Sequence, residues 1–285
     1  MSEPFSLLLP VYGRDRPDYL ERSLRSAVLE QERPPGEVVI VQDGPVEGAL
    51  AAAIGAFRRE SSVPTTIVGL QHNVGLGRAL DAGLEACRHD VVARQDADDI
   101  SLPHRFRLLL AIIEQGVDLV GSGLLEFGAH EDDIMGKRTP PTEPEAIVRY
   151  ARFHDPFNHP SVVYRASAVR AAGGYQDLPL MEDYWLFVRM IHHGARVANV
   201  AEPLVLYRVG AGAFARRGGV RLLRSEVELQ QRMHALGFTS DREYLRNLAV
   251  RGSYRLVPES VRRVAYRRVF GGHVASTDET PNSVP

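Results

Sequence analysis

The stretch "VVARQDADDISLPHRF", Val91–Phe106, decides how the rest of the chain is read. Its apolar start is a buried strand, and Asp96, Asp98 and Asp99 crowd at the strand's end. Neighbouring carboxylates repel one another and raise each other's pKa. A cation normally offsets such crowding. Mg²⁺ or Mn²⁺ suits it, because these ions take one or two carboxylates and complete their shell with substrate phosphates. A simpler role also fits: Asp99 or Ser101 could cap the following helix, with Pro103 in its first turn. A cap uses one acid and three are present, so the metal and phosphate reading is favoured.

Outward from this stretch, short apolar runs alternate with helical patterns. "FSLLLP", "EVVIVQDG", "TTIVGL" and "DVVARQ" read as strands, and "VDLVGSGLLEF" closes the series. Between them, residues 16–31, 49–60, 77–87 and 102–115 read as helices. This alternation predicts an α/β fold, a mostly parallel central sheet with helices on both faces. Ligands of such sheets gather at the C-terminal ends of the strands. Three of those ends carry "PVYG", "QDGP" and "QDADD", which places them along one edge. Residues 128–144 are polar, broken by Gly and Pro, and read as a loop; helices are expected at 145–153 and 180–194, with strands between Ala195 and Val209. After Gly210 the pattern turns helical. The expected organisation is a domain over 1–208, a helical extension over 209–270 packed on it, and a disordered tail over 271–285.

The 285-residue chain is 44% hydrophobic, enough for a sizeable core, and its formal charge of −2 argues against a nucleic-acid partner. The average hides an asymmetry: from Arg208 onward there are fourteen arginines against seven acids. An acidic body with a basic C-terminal part suits peripheral contact with an anionic membrane surface. The N-terminus lacks the features of a signal peptide and no apolar run is long enough to span a bilayer. The expected location is the cytoplasm, with peripheral contact at the inner face of the cytoplasmic membrane. Cys87, the one cysteine, excludes an internal disulfide and a cysteine zinc cluster, and its helical setting suits a structural thiol.

Other patterns are weaker alone. "MEDYWLF" puts Glu182 and Asp183 beside Trp185, which suits a general base and equally suits acids at a helix N-terminus. "GLGRAL" has Leu80 at the third glycine position of a dinucleotide fingerprint, and no P-loop pattern exists. His154, His159, His192 and His193 match no common zinc spacing. Arg208, Arg216 and Arg217 among glycines fit phosphate binding or a solvated turn.

Together these residues resemble the family 2 glycosyltransferases, which have the GT-A nucleotide-sugar-binding fold. The resemblance covers roughly Phe5 to Arg208 and rests on five motifs in order: "LLLPVYGRD", "VVIVQDGP", "NVGLGRALDAGL", "RQDADDIS" and "MEDYWLFVRM". It implies an inverting, metal-dependent transfer of a sugar from a nucleotide donor, UDP-sugar favoured, to an acceptor hydroxyl. Donor contacts would come from Pro10, Val11, Tyr12, Asp43, Asn73, Gly75, Arg78, Asp96, Ala97 and Asp98. Asp43 would meet the base, Asp96 the ribose, and Asp98 a Mn²⁺ or Mg²⁺ cofactor; Asp99 would support the loop or hold an arginine. Asp183 would be the catalytic base. His159, Glu182, Trp185, Arg208, Arg216 and Arg217 are candidates for diphosphate or acceptor contacts. Many relatives carry a metal-binding histidine shortly after "YR", where this chain has Gly210. The pattern is closest to enzymes of bacterial capsule, exopolysaccharide and O-antigen synthesis, which implies a glycan or lipid-linked acceptor. Two alternatives stay open: a sugar nucleotidyltransferase, and a non-catalytic GT-A protein that binds a nucleotide sugar or a partner.

Overall fold

The structure is a computed structural model and describes residues 3–209 and 220–256. The first half runs β1 (Phe5–Val11), α1 (Pro17–Leu24), β2 (Glu37–Gln42), α2 (Gly48–Glu60), β3 (Thr65–Gly69), α3 (Leu76–Ala86) and β4 (Val91–Arg94). Then come β5 (Ile100–Ser101), α4 (Arg105–Ile113), β6 (Leu119–Phe127), β7 (Ile134–Arg138), α5 (Pro144–Ala151), β8 (Val163–Arg165) and α6 (Ala166–Ala171). The chain closes with α7 (Glu182–His192), β9 (Val197–Arg208), α8 (Val220–Ala235) and α9 (Asp241–Leu256). A π-helical turn extends α1 over Arg25–Leu29, and a 3₁₀ turn covers His159–Ser161.

The strands form one sheet in the order β3-β2-β1-β4-β8-β6-β9-β5, with β7 beside β6. The β3-β2-β1-β4 half is parallel, as expected from strands joined through helices. Beyond β4 the sheet is mixed: β8 runs antiparallel to both β4 and β6, while β6 and β9 are parallel. The 128–144 stretch is not all loop, because β7 pairs antiparallel with β6 inside it. Short β5, in the "DDIS" segment read as a cap, pairs with β9.

Alternation along the central strands divides the core into two layers. Leu7, Leu9, Val38 and Ile40 point to one face and pack on Leu20 and Leu24 of α1, Ile54 and Phe57 of α2, and Phe106 and Leu109 of α4. Leu8, Val39, Val41 and Val92 point to the other and meet Leu80 and Leu84 of α3 and Leu186 and Phe187 of α7. Gly83 lets α3 press onto that face: a Cβ there would lie 2.3 Å from Val41 Cγ2 and 2.5 Å from Leu8 Cδ1. A third apolar cluster joins Tyr184, Trp185 and Val188 of α7 to Leu222, Leu229 and Met233 of α8. Among the described residues no helix is long and apolar enough to cross a membrane. The 257–285 stretch, with the end of the expected helical extension and the expected tail, lies outside the described residues, as do Gly210, Arg216 and Arg217.

Candidate active site

β1, β2 and β4 all end at one edge of the parallel half, so their following loops converge there. Gln95 organises the loop after β4. Its buried amide nitrogen donates to Ser23 Oγ at 2.9 Å and to the Asp99 carbonyl at 2.8 Å. Its Oε1 accepts from Ser101 Oγ at 2.8 Å and from Arg105 Nη1 at 2.7 Å. The helix-cap reading of Asp99 and Ser101 is therefore wrong: α4 begins at Arg105 without a side-chain cap, Asp99 accepts a backbone N–H from Arg208 of β9, and Ser101 bonds Gln95.

The three aspartates have separate surroundings. Asp96 pairs with the buried Arg94 guanidinium at 2.5 Å. Asp98 is exposed at the rim, and its carboxyl is pushed up to about 6 by partial desolvation and by the charge of Asp96. Asp99 is buried, its Oδ1 accepts the Arg208 backbone N–H at 2.9 Å, and desolvation holds its carboxyl well above the usual range. The Arg208 guanidinium does not reach for a ligand. It lies 3.8 Å over the Tyr19 ring and 4.4 Å over Phe127, and its Nε donates to the Asp98 carbonyl at 3.1 Å.

Asp15, in the loop after β1, joins this group. Its Oδ2 accepts the Tyr12 backbone N–H at 2.9 Å, and burial, then Asp98 and Asp96, push its carboxyl up to about 7. Sequence reasoning missed it; the signal was an acid in a loop at a strand's C-terminal end. Pro10 and Val11 are buried in β1, and Tyr12 is exposed just beyond it. Ala97 is buried under the loop.

Asp43 has an unexpected position. Both carboxylate oxygens are engaged by the loop ahead of α3: Oδ1 accepts from Val74 N–H at 2.6 Å and Oδ2 from Gly75 N–H at 3.1 Å. Asn73 Nδ2 donates to the Asp43 carbonyl at 3.4 Å. Arg78 pairs at 3.3 Å with Asp177 on the exposed face of α3, away from the cavity described next.

A cavity of about 590 Å³ opens beside Asp96. Its lining includes Leu76, Arg94 and Asp96, together with Lys137, Arg138, Tyr150 and Tyr207, and Asp155, His159, Glu182 and Asp183. Asp183 and Glu182 occupy the first turn of α7, where backbone N–H groups favour negative charge. Desolvation, then Asp183, pushes the Glu182 carboxyl up to about 7. Asp183 is also raised, chiefly by desolvation, with the Tyr184 N–H and Arg94 working against that. A carboxylate lifted in this way suits proton abstraction near neutral pH. Trp185 does not face the cavity: it is buried in the α7–α8 cluster, and its Nε1 donates to Gln176 Oε1 at 2.9 Å. Lys137, Tyr150, Asp155 and Tyr207 were not read from sequence. Asp155 and Lys137 sat in stretches, 155–161 and 128–144, expected from sequence to hold loops that supply specificity contacts, but neither residue was singled out as a contact.

Among the described residues, no three His, Cys, Asp or Glu side chains gather closely enough to enclose a metal ion by themselves. The donor chemistry nonetheless fits a hard cation completed by phosphate: Asp98 is exposed, its carboxyl is raised by desolvation and then by Asp96, and Asp15 is alongside. The Cys87 thiol, pushed up to about 12 mainly by burial and bonded to the Gly83 carbonyl at 3.4 Å, is not a nucleophile.

Comparison with known proteins decides the family. The model of the glycosyl transferase family 2 matches residues 6–171. The chain belongs to glycosyl transferase family 2. This glycosyltransferase is 38% identical over 266 residues to the amylovoran biosynthesis glycosyltransferase AmsE of Erwinia amylovora, covering 93% of this chain and 98% of that one. It is 32% identical over 268 residues to an Escherichia coli protein named UDP-Gal:alpha-D-GlcNAc-diphosphoundecaprenol beta-1,3-galactosyltransferase, covering 93% and 96%. Its fold matches the mannosyltransferase PcManGT of Pyrobaculum calidifontis, solved with GDP-Man and Mn²⁺, with a TM-score of 0.61 at 16% identity over 97% of this chain and 77% of that one. The glycosyltransferase thus has the GT-A fold.

Proposed function

We propose that this glycosyltransferase transfers a sugar, with inversion, from a UDP-sugar to a hydroxyl of a lipid-diphosphate-linked glycan during assembly of a bacterial surface polysaccharide. One observation carries the reading: Asp96 at the end of β4 and Asp183 at the start of α7 line the same cavity. The names of the relatives support the substrate classes, one acting with UDP-Gal on a diphosphoundecaprenol-linked sugar and one in amylovoran synthesis. Asp183 takes the proton of the acceptor hydroxyl as its oxygen attacks the anomeric carbon. The bond to the donor diphosphate breaks on the opposite side, which inverts the configuration and needs no covalent enzyme intermediate. A Mn²⁺ or Mg²⁺ held by Asp98 would neutralise the departing nucleoside diphosphate. The ion pair with Arg94 orients Asp96 at the donor side. Tyr150, stacked on His154, and Tyr207, covered by Arg138, line the cavity in which the acceptor sugar would sit.

The helices α8 and α9 are proposed as an extension of the 1–208 domain and as the part nearest the membrane. Leu245 and Val250 of α9 are exposed, 65% and 52%, in a helix that also carries Arg242 and Arg246.

The test is a thermal-shift panel of UDP, GDP, dTDP and CDP sugars with and without Mn²⁺, followed by Asp183→Asn. A ligand that binds the folded state raises the midpoint. A Mn²⁺-dependent shift with UDP-sugars alone, kept in Asp183→Asn while transfer is lost, is the expected result. Transfer by Asp183→Asn at the wild-type rate removes the base assignment, and a flat panel removes the donor assignment.

A further inference from the structure

His159 is enclosed in the cavity wall, 7% exposed, and each ring nitrogen faces a single side chain. Nδ1 lies 3.6 Å from Asp183 Oδ2. Nε2 lies 3.1 Å from the Tyr175 hydroxyl, which is 3.4 Å from the Tyr164 hydroxyl. Both tyrosines are buried. The turn that carries the histidine is fixed from two sides. Arg105 Nη2 donates to the Pro160 carbonyl at 2.9 Å and to the Arg94 carbonyl at 2.7 Å, while Ser161 Oγ accepts the Ser122 backbone N–H at 2.9 Å.

We propose that His159 is a positioning residue for Asp183: a neutral imidazole whose Nδ1–H is aimed at Oδ2, with the Tyr175 hydroxyl fixing that tautomer by donating to Nε2. The inference rests on the reading of Asp183 as the base. Its chemistry is as follows. A ring nitrogen facing a carboxylate must carry the proton, because two acceptors repel. The other nitrogen is then bare and needs a donor, and among the described residues the Tyr175 hydroxyl faces it. A hydroxyl supplies that proton at no charge cost. Burial, then the nearby Arg94 charge, keeps the ring neutral. The 3.6 Å approach is long for a hydrogen bond, and catalytic contacts of this kind tighten when substrate closes the site. Asp183 Oδ1 already accepts the Tyr184 backbone N–H at 2.7 Å, so Oδ2 is the oxygen that works, and His159 sets its direction.

Asp183 meets other charges: Glu182 on its own helix, Asp155 from the segment after α5, and Arg94 and Asp96 from the end of β4. Three of these are acids that disfavour its ionised form, so an oriented donor has a defined task. It stabilises the carboxylate without adding a positive charge to compete with Arg94.

The test reads tautomer and titration directly. In protein labelled with ¹⁵N-histidine, the His159 signals are assigned by their loss in His159→Leu. The expected result is a protonated Nδ1 and a bare Nε2 across pH 6–8. Tyr175→Phe, which keeps ring volume, should move the proton toward Nε2. The Asp183 carboxyl, followed by ¹³C signals and assigned with Asp183→Asn, should titrate about one pH unit higher in His159→Leu, the loss of one hydrogen bond to an ion. His159→Asn, which places an amide N–H near the Nδ1 position, should restore it. An Nε2-protonated ring in the wild type, or an unmoved Asp183 titration in His159→Leu, overturns the proposal. Asp183→Asn assayed for transfer separates the two readings: if it still transfers sugar the base assignment fails, whatever the histidine signals show.

Discussion

Replacing Asp43 by Asn separates two roles that one carboxylate cannot fully serve. The family resemblance gives Asp43 to the nucleotide base, whereas its oxygens receive the backbone N–H groups of Val74 at 2.6 Å and Gly75 at 3.1 Å. The residue is 7% exposed, so these bonds form away from bulk water. A hydrogen bond to a charged partner contributes about 1.5–3 kcal/mol, and a neutral one about 1 kcal/mol. Asn keeps one oxygen and turns an N–H₂ toward the second amide. It therefore loses the charge on one bond and the whole of the other, a cost of about 2–3 kcal/mol. For a chain of this size that is a fall of about 5 °C in the unfolding midpoint. The assay is thermal unfolding without ligand, followed by titration with UDP. The expected outcome is the lower midpoint together with weaker UDP binding, because the 73–75 loop is no longer held against the end of β2. An unchanged midpoint with weakened UDP binding would refute the structural argument, since it would mean the carboxylate is free for the base.

Further outcomes can be checked by simple measurements. Arg105→Met strands the Arg94 and Pro160 carbonyls in the interior and should cost about 4 kcal/mol by urea unfolding, the scale of removing one partner from a buried charged network. Gly44→Ala places a side chain at φ +88°, with a Cβ 2.9 Å from the Asn73 nitrogen, and should destabilise by about 2 kcal/mol with a parallel loss in donor affinity. Glu182 titrates near 7 in the folded protein against 4.5 as its ordinary value, so the folded state holds the proton longer and stability falls as pH rises between those values. Glu182→Gln should therefore flatten that slope and raise stability by about 3 kcal/mol at pH 8, read from urea midpoints at pH 5 and 8.

The parallel half of the sheet was legible because its strands are continuous apolar runs and its helices keep a 3.6-residue period, signals that survive in one sequence. β7 was not. "IMGKR" is half-exposed, and a partner 7 to 14 residues away in β6, with Arg138 paired to Glu126, makes it a strand. The antiparallel insertion of β8 between β4 and β6 is equally a matter of tertiary pairing. At the site, residue type pointed to the acids, but not to which atoms were already committed. Asp43 is occupied by backbone, Arg208 by Tyr19 and Phe127, and Trp185 by the α8 contact. Each had the chemistry of a ligand contact, and only geometry shows the partner it already has.

The third apolar cluster bears on how such proteins can be cut and recombined. The helix that begins with Glu182 and Asp183 places Tyr184, Trp185 and Val188 against α8, and a buried Arg251–Glu226 pair also joins Arg251 to the Phe153 carbonyl, two residues before Asp155. A chimaera that exchanges only the segment after Arg208 with a relative would replace the surface on which α7 rests. It would thereby alter the part of the cavity lined by Glu182 and Asp183 without changing a residue in it, so graft boundaries chosen to move acceptor preference must carry α7 and α8 together.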